Sequence, residues 1–384
     1  MGAWGEGRGA RDEGTGSGPL PAPRPSSPAP AVYILVGATA SGKTEVAVEL
    51  ARLLGAELAS MDSMKVYRGM DIGTAKPEAT ESGPLAIKGP DPFISADPFI
   101  SAELEAKKGS RVISTDHHGG AHREKTLDPF FVRWHLLDLV EPSEEFNVGR
   151  WLEAADRAIA EAAGRGAPIV FEGGSALYCR ALLYGLFPGP PRDAELRAEL
   201  RARAEAEGVE KLHAELAAVD PAAAAKIGRR DIRRIERALE VWRLTGRPIS
   251  AAQRQFGRLR PGFDFRLAGV ERPRARLYRR IDERVDAMMA AGFLEEVRRL
   301  LAAPARPSRE ALQALGYREL ARHLAGEIPL EEALYLTKRN TRHFARRQLG
   351  AFRKIPGFEW FEPAPDEAAA AVAARIAERL GAGR

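Results

Sequence analysis

The chain has 384 residues, of which 45% are hydrophobic and 29% charged, and its formal net charge is +5. This length exceeds one ordinary hydrophobic core, so two or three packed units are expected. No apolar run approaches the roughly 18 residues of a membrane span, no signal peptide is evident, and the single cysteine, Cys179, excludes an internal disulfide and a cysteine-rich zinc module. A cytoplasmic protein without a membrane partner is predicted.

Residues 1–30 contain seven Gly and six Pro and almost no apolar side chains. Such a composition buries too little surface to offset the entropy lost on ordering. The first segment is therefore predicted to be a disordered leader without function.

Residues 31–44 join an apolar, β-branched run to a glycine-rich loop. Gly37, Gly42, Lys43 and Thr44 occupy the fixed positions of the pattern G-x-x-x-x-G-K-[ST]. The glycines let successive N–H groups point into one concavity at a helix N-terminus, which binds phosphate. Lys43 adds a charge for terminal phosphate oxygens, and the Thr44 hydroxyl suits Mg²⁺. The loop alone does not show whether those phosphates belong to a nucleoside triphosphate.

A helix and a second strand are predicted directly after this loop. Apolar residues at helical spacing indicate a helix over 45–54 that ends at Gly55, and 57–61 reads as a short strand. Asp62 and Ser63 follow that strand. In an open α/β sheet this is the edge where ligands bind.

The periodicity is lost between Pro77 and Pro129, where the segment 91–96 is repeated at 97–102. Asp116, His117, His118 and His122 leave a metal site open as an interpretation. The glycines between them rule out a helical pair of ligands, which favours a plain surface insertion over 80–133.

Strands and helices alternate again after this insertion. Strands are predicted at 134–140 and 168–172, with a helix over 147–163 between them and a glycine turn followed by a helix after the second strand. This alternation is typical of a parallel sheet flanked by helices. From 192 to 247 the pattern is helical without strand candidates, a last strand is predicted at 265–271, and helices follow over 273–354.

The predicted fold is α/β, a P-loop parallel sheet core flanked by helices, with an inserted all-helical subdomain. The predicted units are the leader 1–30, the core 31–188 with its insertion 80–133, the helical domain 189–260, and the mostly helical remainder of the core, 261–384.

Positive charge is concentrated in two segments. Residues 226–260 carry eleven Lys or Arg against three acids, and residues 338–354 carry seven against none. A local excess of this kind is expected of a protein that holds a polyanion, although solvated helix faces would read similarly.

The motifs, taken together, resemble the tRNA dimethylallyltransferase family, also called tRNA isopentenyltransferases. Asp-Ser at 62–63 followed by Ile-Gly-Thr-Ala-Lys-Pro at 72–77 is far more specific than a phosphate loop. The absence of a Cys/His zinc module past residue 340 favours the bacterial type. The matching segments, in family order, are 37–44, 62–77, 135–138, 173–178, 231–240, 280–284, 315–318 and 346–353.

The resemblance implies that a monomer transfers a dimethylallyl group from its diphosphate to the N6 amine of the adenosine on the 3′ side of the anticodon. The loop would hold the diphosphate with Mg²⁺ as cofactor, Thr44 would contact the metal, and Arg284 would reach the diphosphate. Charge accumulates on such a leaving group, so these are the stabilisers that its departure needs. The implied diphosphate-binding residues are Gly37, Thr39, Ala40, Ser41, Gly42, Lys43 and Thr44.

Asp62 is the predicted base, since the lone pair of an adenine amine is delocalised and a carboxylate helps to remove its proton. Without the resemblance, Asp62 would also read as a helix cap or a ligand to a Mg²⁺-bound water. Ser175 matches a catalytic hydroxyl residue near the reaction channel.

The anticodon stem-loop is the implied RNA partner, and its target adenine must leave the stack. The two basic segments coincide with family stretches that contact tRNA. The residues expected to contact it are Asp62, Ser63, Met64, Lys65, Arg233, Arg234, Arg237, Gly316, Tyr317, Arg318, Arg346, Arg347, Gln348 and Arg353.

The chain departs from the family pattern at four positions, in three places. Lys65 stands where glutamine is frequent, Glu172 replaces an apolar residue before the double glycine, and Gly350-Ala351 replaces a Thr-Trp pair.

Three other functions remain open from the residues. They are a P-loop kinase or ATPase with Glu172 orienting metal or water, a non-catalytic RNA-binding protein, and prenylation of free adenine nucleotides. The basic segments argue against the first and third, and the intact loop with Asp62 argues against the second.

Overall fold

The computed structural model of the chain describes residues 29–80, 83–86, 132–253 and 257–381. Almost all of the predicted leader and most of the predicted insertion lie outside the described residues. The Asp116–His122 interpretation lies outside them too, so it stays a prediction.

A six-stranded parallel sheet forms the core, in the order β5-β2-β6-β1-β7-β8. The predicted α/β class is confirmed. A separate antiparallel pair, β3 with β4, lies at the start of the stretch that was predicted to be a structureless insertion. The strands are β1 (Ala31–Gly37), β2 (Glu57–Ser60), β3 (Glu78–Thr80), β4 (Gly83–Ala86), β5 (Trp134–His135), β6 (Ile169–Gly173), β7 (Asp264–Val270) and β8 (Glu359–Phe361).

Helices cover both faces of the sheet. The helices are α1 (Lys43–Leu54), α2 (Val148–Gly164), α3 (Ala176–Tyr184), α4 (Ala194–Glu207), α5 (Val209–Val219), α6 (Pro221–Ala224), α7 (Ile232–Thr245), α8 (Ile249–Ala252), α9 (Arg274–Ala290), α10 (Phe293–Ala302), α11 (Arg309–Leu312), α12 (Tyr317–Leu324), α13 (Leu330–Phe352) and α14 (Ala369–Arg379). In the described part of the chain, none is long and apolar enough to cross a membrane.

The central strand β1 is buried on both of its faces, which accounts for its continuous apolar run. Ile34 packs into the cluster on one face of the sheet with Trp151 of α2, while Leu35 packs into the cluster on the other face with Leu50 of α1. Successive side chains of a strand point to opposite faces, so a strand buried on both sides needs apolar residues at every position.

The strand predicted at 134–140 is shorter than expected and ends at His135. Leu136 and Asp138 have positive φ angles of 64° and 51°, which no strand accommodates. The Lys76 ammonium lies 2.5 Å from the Asp138 carboxylate and donates to the Tyr67 carbonyl at 2.7 Å. These contacts draw the chain out of the sheet and onto the loop after β2.

Two elements near the C-terminus were not predicted, β8 and α14. β8 has only three residues and lies at the edge of the sheet beside β7, and α14 packs against α1. Three residues are too few to show a period, so the sequence carried no signal for β8.

Helices α4 to α8 have a hydrophobic cluster of their own. Leu200, Leu216 and Leu239 are at its centre, each fully buried. No strand interrupts the described residues between β6 and β7, which agrees with the helical pattern. The boundaries proposed for the separate units stay predictions.

Candidate active site

A cleft of ≈ 1700 Å³ opens at the carboxyl ends of β1, β2 and β6. Lys43 and Thr44 enter it from the first turn of α1, Asp62 from the loop after β2, and Ser175 from the turn after β6. Adjacent parallel strands end at the same edge, so residues far apart in the sequence meet there.

The loop after β1 is shaped to bind an anion. Gly42 has a φ of 85° and Ala40 one of 60°, and α1 begins directly at Lys43. A Cβ at Gly37 would lie 2.6 Å from the Val270 carbonyl oxygen, so that position must be glycine. The amide groups at the start of α1 therefore face the cleft with the positive end of the helix dipole behind them.

Two arginines support this loop from outside the motif. Arg280 of α9 donates from Nε to the Ala40 carbonyl at 3.0 Å, and Arg272 after β7 donates from Nε to the Ser41 carbonyl at 2.7 Å. Neither contact has a signal in the local sequence, because each partner lies more than 200 residues away.

A third support is Gln348 of α13. Its Oε1 accepts from the Thr39 N–H and its Nε2 donates to the Gly174 carbonyl, both at 2.9 Å. A Cβ at Gly174 would lie 2.1 Å from that Nε2, which explains the second glycine of the turn after β6. Gln348 is 6% exposed. Because both ends of its amide are occupied, the geometry favours a supporting role over the predicted RNA contact.

A buried ion pair lies beneath the loop. Lys65 donates from Nζ to Oε1 of Glu172 at 2.8 Å, and the Thr44 hydroxyl donates to Oε2 at 3.1 Å. Glu172 is 0% exposed and Lys65 is 5% exposed. Burial acts to raise the pKa of Glu172, but Lys65, Lys43 and Thr44 together hold it below its ordinary value. Two of the departures from the family pattern, Lys65 and Glu172, are thus partners in one contact.

Lys43 is a further cation at the loop, and its Nζ donates to the Ala38 carbonyl at 3.4 Å. Burial lowers the pKa of its ammonium; Glu172 opposes this shift, whereas Lys65 and Arg284 add to it. The Arg284 side chain, from α9, also lines the cleft. Several positive groups therefore converge where a polyanion would bind.

Asp62 lies in the loop that follows β2, and its Oδ1 accepts from the Met64 N–H at 2.8 Å. Among the described residues, its Oδ2 has no hydrogen-bond partner. Ser175 is the N-cap of α3, and its Oγ accepts from the Tyr178 N–H at 3.4 Å. A carboxylate and a hydroxyl thus stand at the strand edge, next to the phosphate loop.

The loop over 62–77 is fixed by Glu296 of α10, a buried carboxylate. It accepts from the N–H groups of Asp71, Ile72 and Gly73 at 2.9, 2.8 and 3.2 Å. The Tyr317 hydroxyl donates to the same carboxylate at 2.6 Å. Together with Lys76, this anchor holds the chain segment that carries Asp62.

The donor set in the cleft suits a small hard cation that substrate also ligates. Within the described ranges no group of three or more His, Cys, Asp or Glu is placed to hold a metal. The Thr44 hydroxyl and the Asp62 carboxylate supply oxygens at the loop. Mg²⁺ ordinarily keeps several waters and takes the rest of its ligands from a few protein oxygens and substrate phosphates, so these residues fit it.

The cleft also has a basic wall, formed by arginines of three helices. Arg233 and Arg237 reach it from α7, Arg318 from α12 and Arg347 from α13. Arg233 donates to Gln313 Oε1 at 2.7 Å and so joins α7 to the segment after α11. Arg234 lies beside them on α7 with 70% of its side chain exposed. This wall presents guanidinium groups to any anion that covers the cleft.

The sequence is similar to known proteins over most of its length. A family model described as IPP transferase matches residues 126–355, and one described as isopentenyl transferase matches residues 30–84. The tRNA dimethylallyltransferase of Geobacter metallireducens is 41% identical over 329 residues, which cover 86% of this chain and 91% of that protein. The chain belongs to the tRNA dimethylallyltransferase family. The protein of that name from Symbiobacterium thermophilum is 42% identical over 336 residues, covering 87% of this chain and 90% of the relative.

Two solved structures are similar to this member of the tRNA dimethylallyltransferase family. A tRNA isopentenylpyrophosphate transferase from Bacillus halodurans is 33% identical with a TM-score of 0.57, covering 91% of this chain and 97% of that one. A eukaryotic dimethylallyltransferase acting on tRNA has a TM-score of 0.62 at 21% identity and shares the fold.

Several residues that this resemblance assigned to tRNA lie away from the cleft. Tyr317 is 1% exposed and packs edge-on against Phe293, so a structural role fits it better than an RNA contact. Gly316 has a φ of 85°, and a Cβ there would lie 2.6 Å from the Phe293 ring. Arg346 and Arg353 line a separate pocket of ≈ 430 Å³.

Proposed function

We propose that the chain transfers the dimethylallyl group of dimethylallyl diphosphate to the N6 amine of the adenosine on the 3′ side of the anticodon in tRNA, releasing diphosphate. One observation carries the proposal. A single cleft is lined by the phosphate loop and Asp62 and also by arginines of α7, α12 and α13. A leaving-group site, a base and an RNA-binding wall therefore share one space.

The diphosphate would lie in the loop Gly37–Thr44, against the N-terminus of α1. When the bond between C1 of the dimethylallyl group and the diphosphate oxygen breaks, negative charge accumulates on the diphosphate. The loop N–H groups, including that of Thr39, together with Lys43 and Arg284, stabilise that charge because they are already oriented before the reaction. When bound, Mg²⁺ held by Thr44 would neutralise part of the same charge.

Asp62 would act as the base. As the N6–C1 bond forms, the amine loses one proton to the Asp62 carboxylate, and the products are N6-dimethylallyl adenosine, diphosphate and that proton. Oδ2 is the oxygen for this transfer, since Oδ1 is held by the Met64 N–H. Ser175, fixed as the N-cap of α3, would position the substrate beside it.

The anticodon stem-loop would cover the basic wall with its target adenine turned into the cleft. Arg233, Arg234, Arg237, Arg318 and Arg347 would meet phosphates and splayed bases there. The helical unit 189–260 would thus be the main RNA-contacting part. Because one chain supplies both walls, a monomer suffices, and a cytoplasmic location stays a prediction.

The decisive experiment offers unmodified tRNA with dimethylallyl diphosphate labelled in the prenyl carbons or, separately, with ATP labelled in the γ-phosphate. Prenyl label is expected on the tRNA, and only on the adenosine next to the anticodon. Phosphate label on the RNA, or hydrolysis of ATP, would contradict the proposal. A third arm with free AMP should give no labelled product if RNA contacts are needed.

A further inference from the structure

Lys65, Glu172 and Thr44 are joined by hydrogen bonds, in a contact to which the proposed transfer reaction gives no role. Glu172 is the penultimate residue of β6, the strand next to β1, and its side chain is fully buried beneath the phosphate loop. One oxygen accepts from Lys65 and the other from the Thr44 hydroxyl. Both oxygens of the carboxylate are therefore used within the protein.

This contact decides how the Thr44 hydroxyl is oriented. A hydroxyl has one proton to donate and two lone pairs with which to accept or to coordinate a metal. Since Thr44 gives its only proton to Glu172 Oε2 at 3.1 Å, its lone pairs are left for the cleft that Thr44 lines. A Thr44 hydroxyl that donated its proton towards a phosphate would instead turn away from a cation.

Lys65 explains how a carboxylate can be kept in this place. A buried charge without a partner is costly, and within the described residues Lys65 is the cation that hydrogen-bonds to Glu172. Its ammonium lies 5.9 Å from the centre of the Trp134 ring, and the Lys65 side chain is buried. The pair is neutral as a whole, so it can replace an uncharged pair without adding net charge to the site.

We propose that Glu172 is a positioning residue that orients the Thr44 hydroxyl as a ligand for the divalent cation accompanying the diphosphate, and that Lys65 is its internal counter-ion. The inference rests on the proposed function, in which Thr44 holds that cation. Glu172 acts through Thr44 and does not itself touch the substrate. Lys65 accordingly faces Glu172, whereas the family resemblance assigned it to RNA.

The test measures binding of Mn²⁺ in the presence of inorganic diphosphate by electron paramagnetic resonance, so that no turnover is needed. The double variant Lys65→Met/Glu172→Met removes both charges at similar volume, a change that folded proteins generally tolerate. Its unfolding transition is expected near that of the wild type, whereas its Mn²⁺ affinity should fall about 10- to 100-fold. Glu57→Gln is the matched control. Glu57 is also a carboxylate paired with a cation, but it lies at the amino end of β2, whereas the cleft is at the carboxyl end of that strand.

The same measurement in a Thr44→Val background shows whether Glu172 acts through Thr44. There the double substitution should cause no further loss of Mn²⁺ affinity. Equal Mn²⁺ affinity in the wild type and the double variant would overturn the inference, as would an undiminished loss in the Thr44→Val background. If the wild type with diphosphate binds no Mn²⁺, the proposed diphosphate site fails, and the inference with it.

Discussion

The side-chain oxygen of Gln348 accepts a hydrogen bond from the backbone N–H of Thr39 at 2.9 Å, although 309 positions separate the two residues. Through its Nε2 the same side chain also holds the turn after β6. The phosphate loop is thus oriented by α13, a helix that comes more than 290 positions later in the chain and packs against β1.

Replacing this amide should weaken diphosphate binding and leave RNA binding nearly intact. Gln348→Leu leaves the Thr39 N–H and the Gly174 carbonyl without partners, which costs about 1–3 kcal/mol for such buried groups. We expect a roughly tenfold or larger loss of affinity for inorganic diphosphate with Mg²⁺, measured by calorimetry. The neighbouring Arg347→Ala is the control and should weaken tRNA binding instead. A Gln348 variant that lost only tRNA binding would restore the predicted RNA contact.

Removing the base should separate binding from chemistry. Asp62→Asn keeps an oxygen for the Met64 N–H but takes up no proton. The rate constant of prenyl transfer, measured under single-turnover conditions, should fall by on the order of 10²-fold or more. The affinity for tRNA should stay within a few fold of the wild-type value. The two quantities are followed by prenyl transfer and filter binding. Unchanged turnover would exclude Asp62 from the mechanism.

The basic wall should be visible in the salt dependence of tRNA binding. Arg233→Ala removes one guanidinium from the cleft. In a plot of the logarithm of the tRNA association constant against the logarithm of the salt concentration, the slope should become shallower by about 0.7 to 1. Diphosphate binding should not change. Arg379→Ala on α14, where the guanidinium pairs with Glu359 at 2.8 Å, removes the same charge far from the cleft. If both variants alter tRNA binding equally, the assignment of the wall to RNA is wrong.

The helical unit should lose stability in acid through Glu240. Burial acts to raise the pKa of this carboxyl, but hydrogen bonds from Arg197 and Arg237 hold it at about 2, below the ordinary value of 4.5. Because the folded pKa is the lower one, this contribution is complete above pH 4.5 and is lost as the pH falls towards about 2.

Urea unfolding from pH 7 to pH 2.5 measures this effect. Glu240→Gln should be less stable than the wild type by about 3 kcal/mol at pH 7, and the difference should shrink below pH 4.5. Glu205→Gln, an exposed acid on α4, is the control and should show no such convergence. A difference that stays constant with pH would remove the charge of Glu240 from the explanation.

The sequence by itself determined the sheet class, the phosphate loop and the position of Asp62. The loop is recognisable because all its fixed residues lie within eight positions. The strands β1 and β6 are recognisable by their apolar runs, and the helices α1 and α2 by apolar residues at helical spacing. The family resemblance was likewise carried by short segments in order. Such features depend on neighbours in the chain, so folding is not needed to read them.

Only the tertiary structure decided which side chains meet. Lys65 and Glu172 each departed from the family pattern, and their contact across 107 positions is what accounts for both. Arg346 and Arg347 are adjacent on α13 yet line different pockets, since neighbouring positions of a helix point in different directions. Pairings of this kind depend on how helices and strands pack over long separations, and no local pattern specifies them.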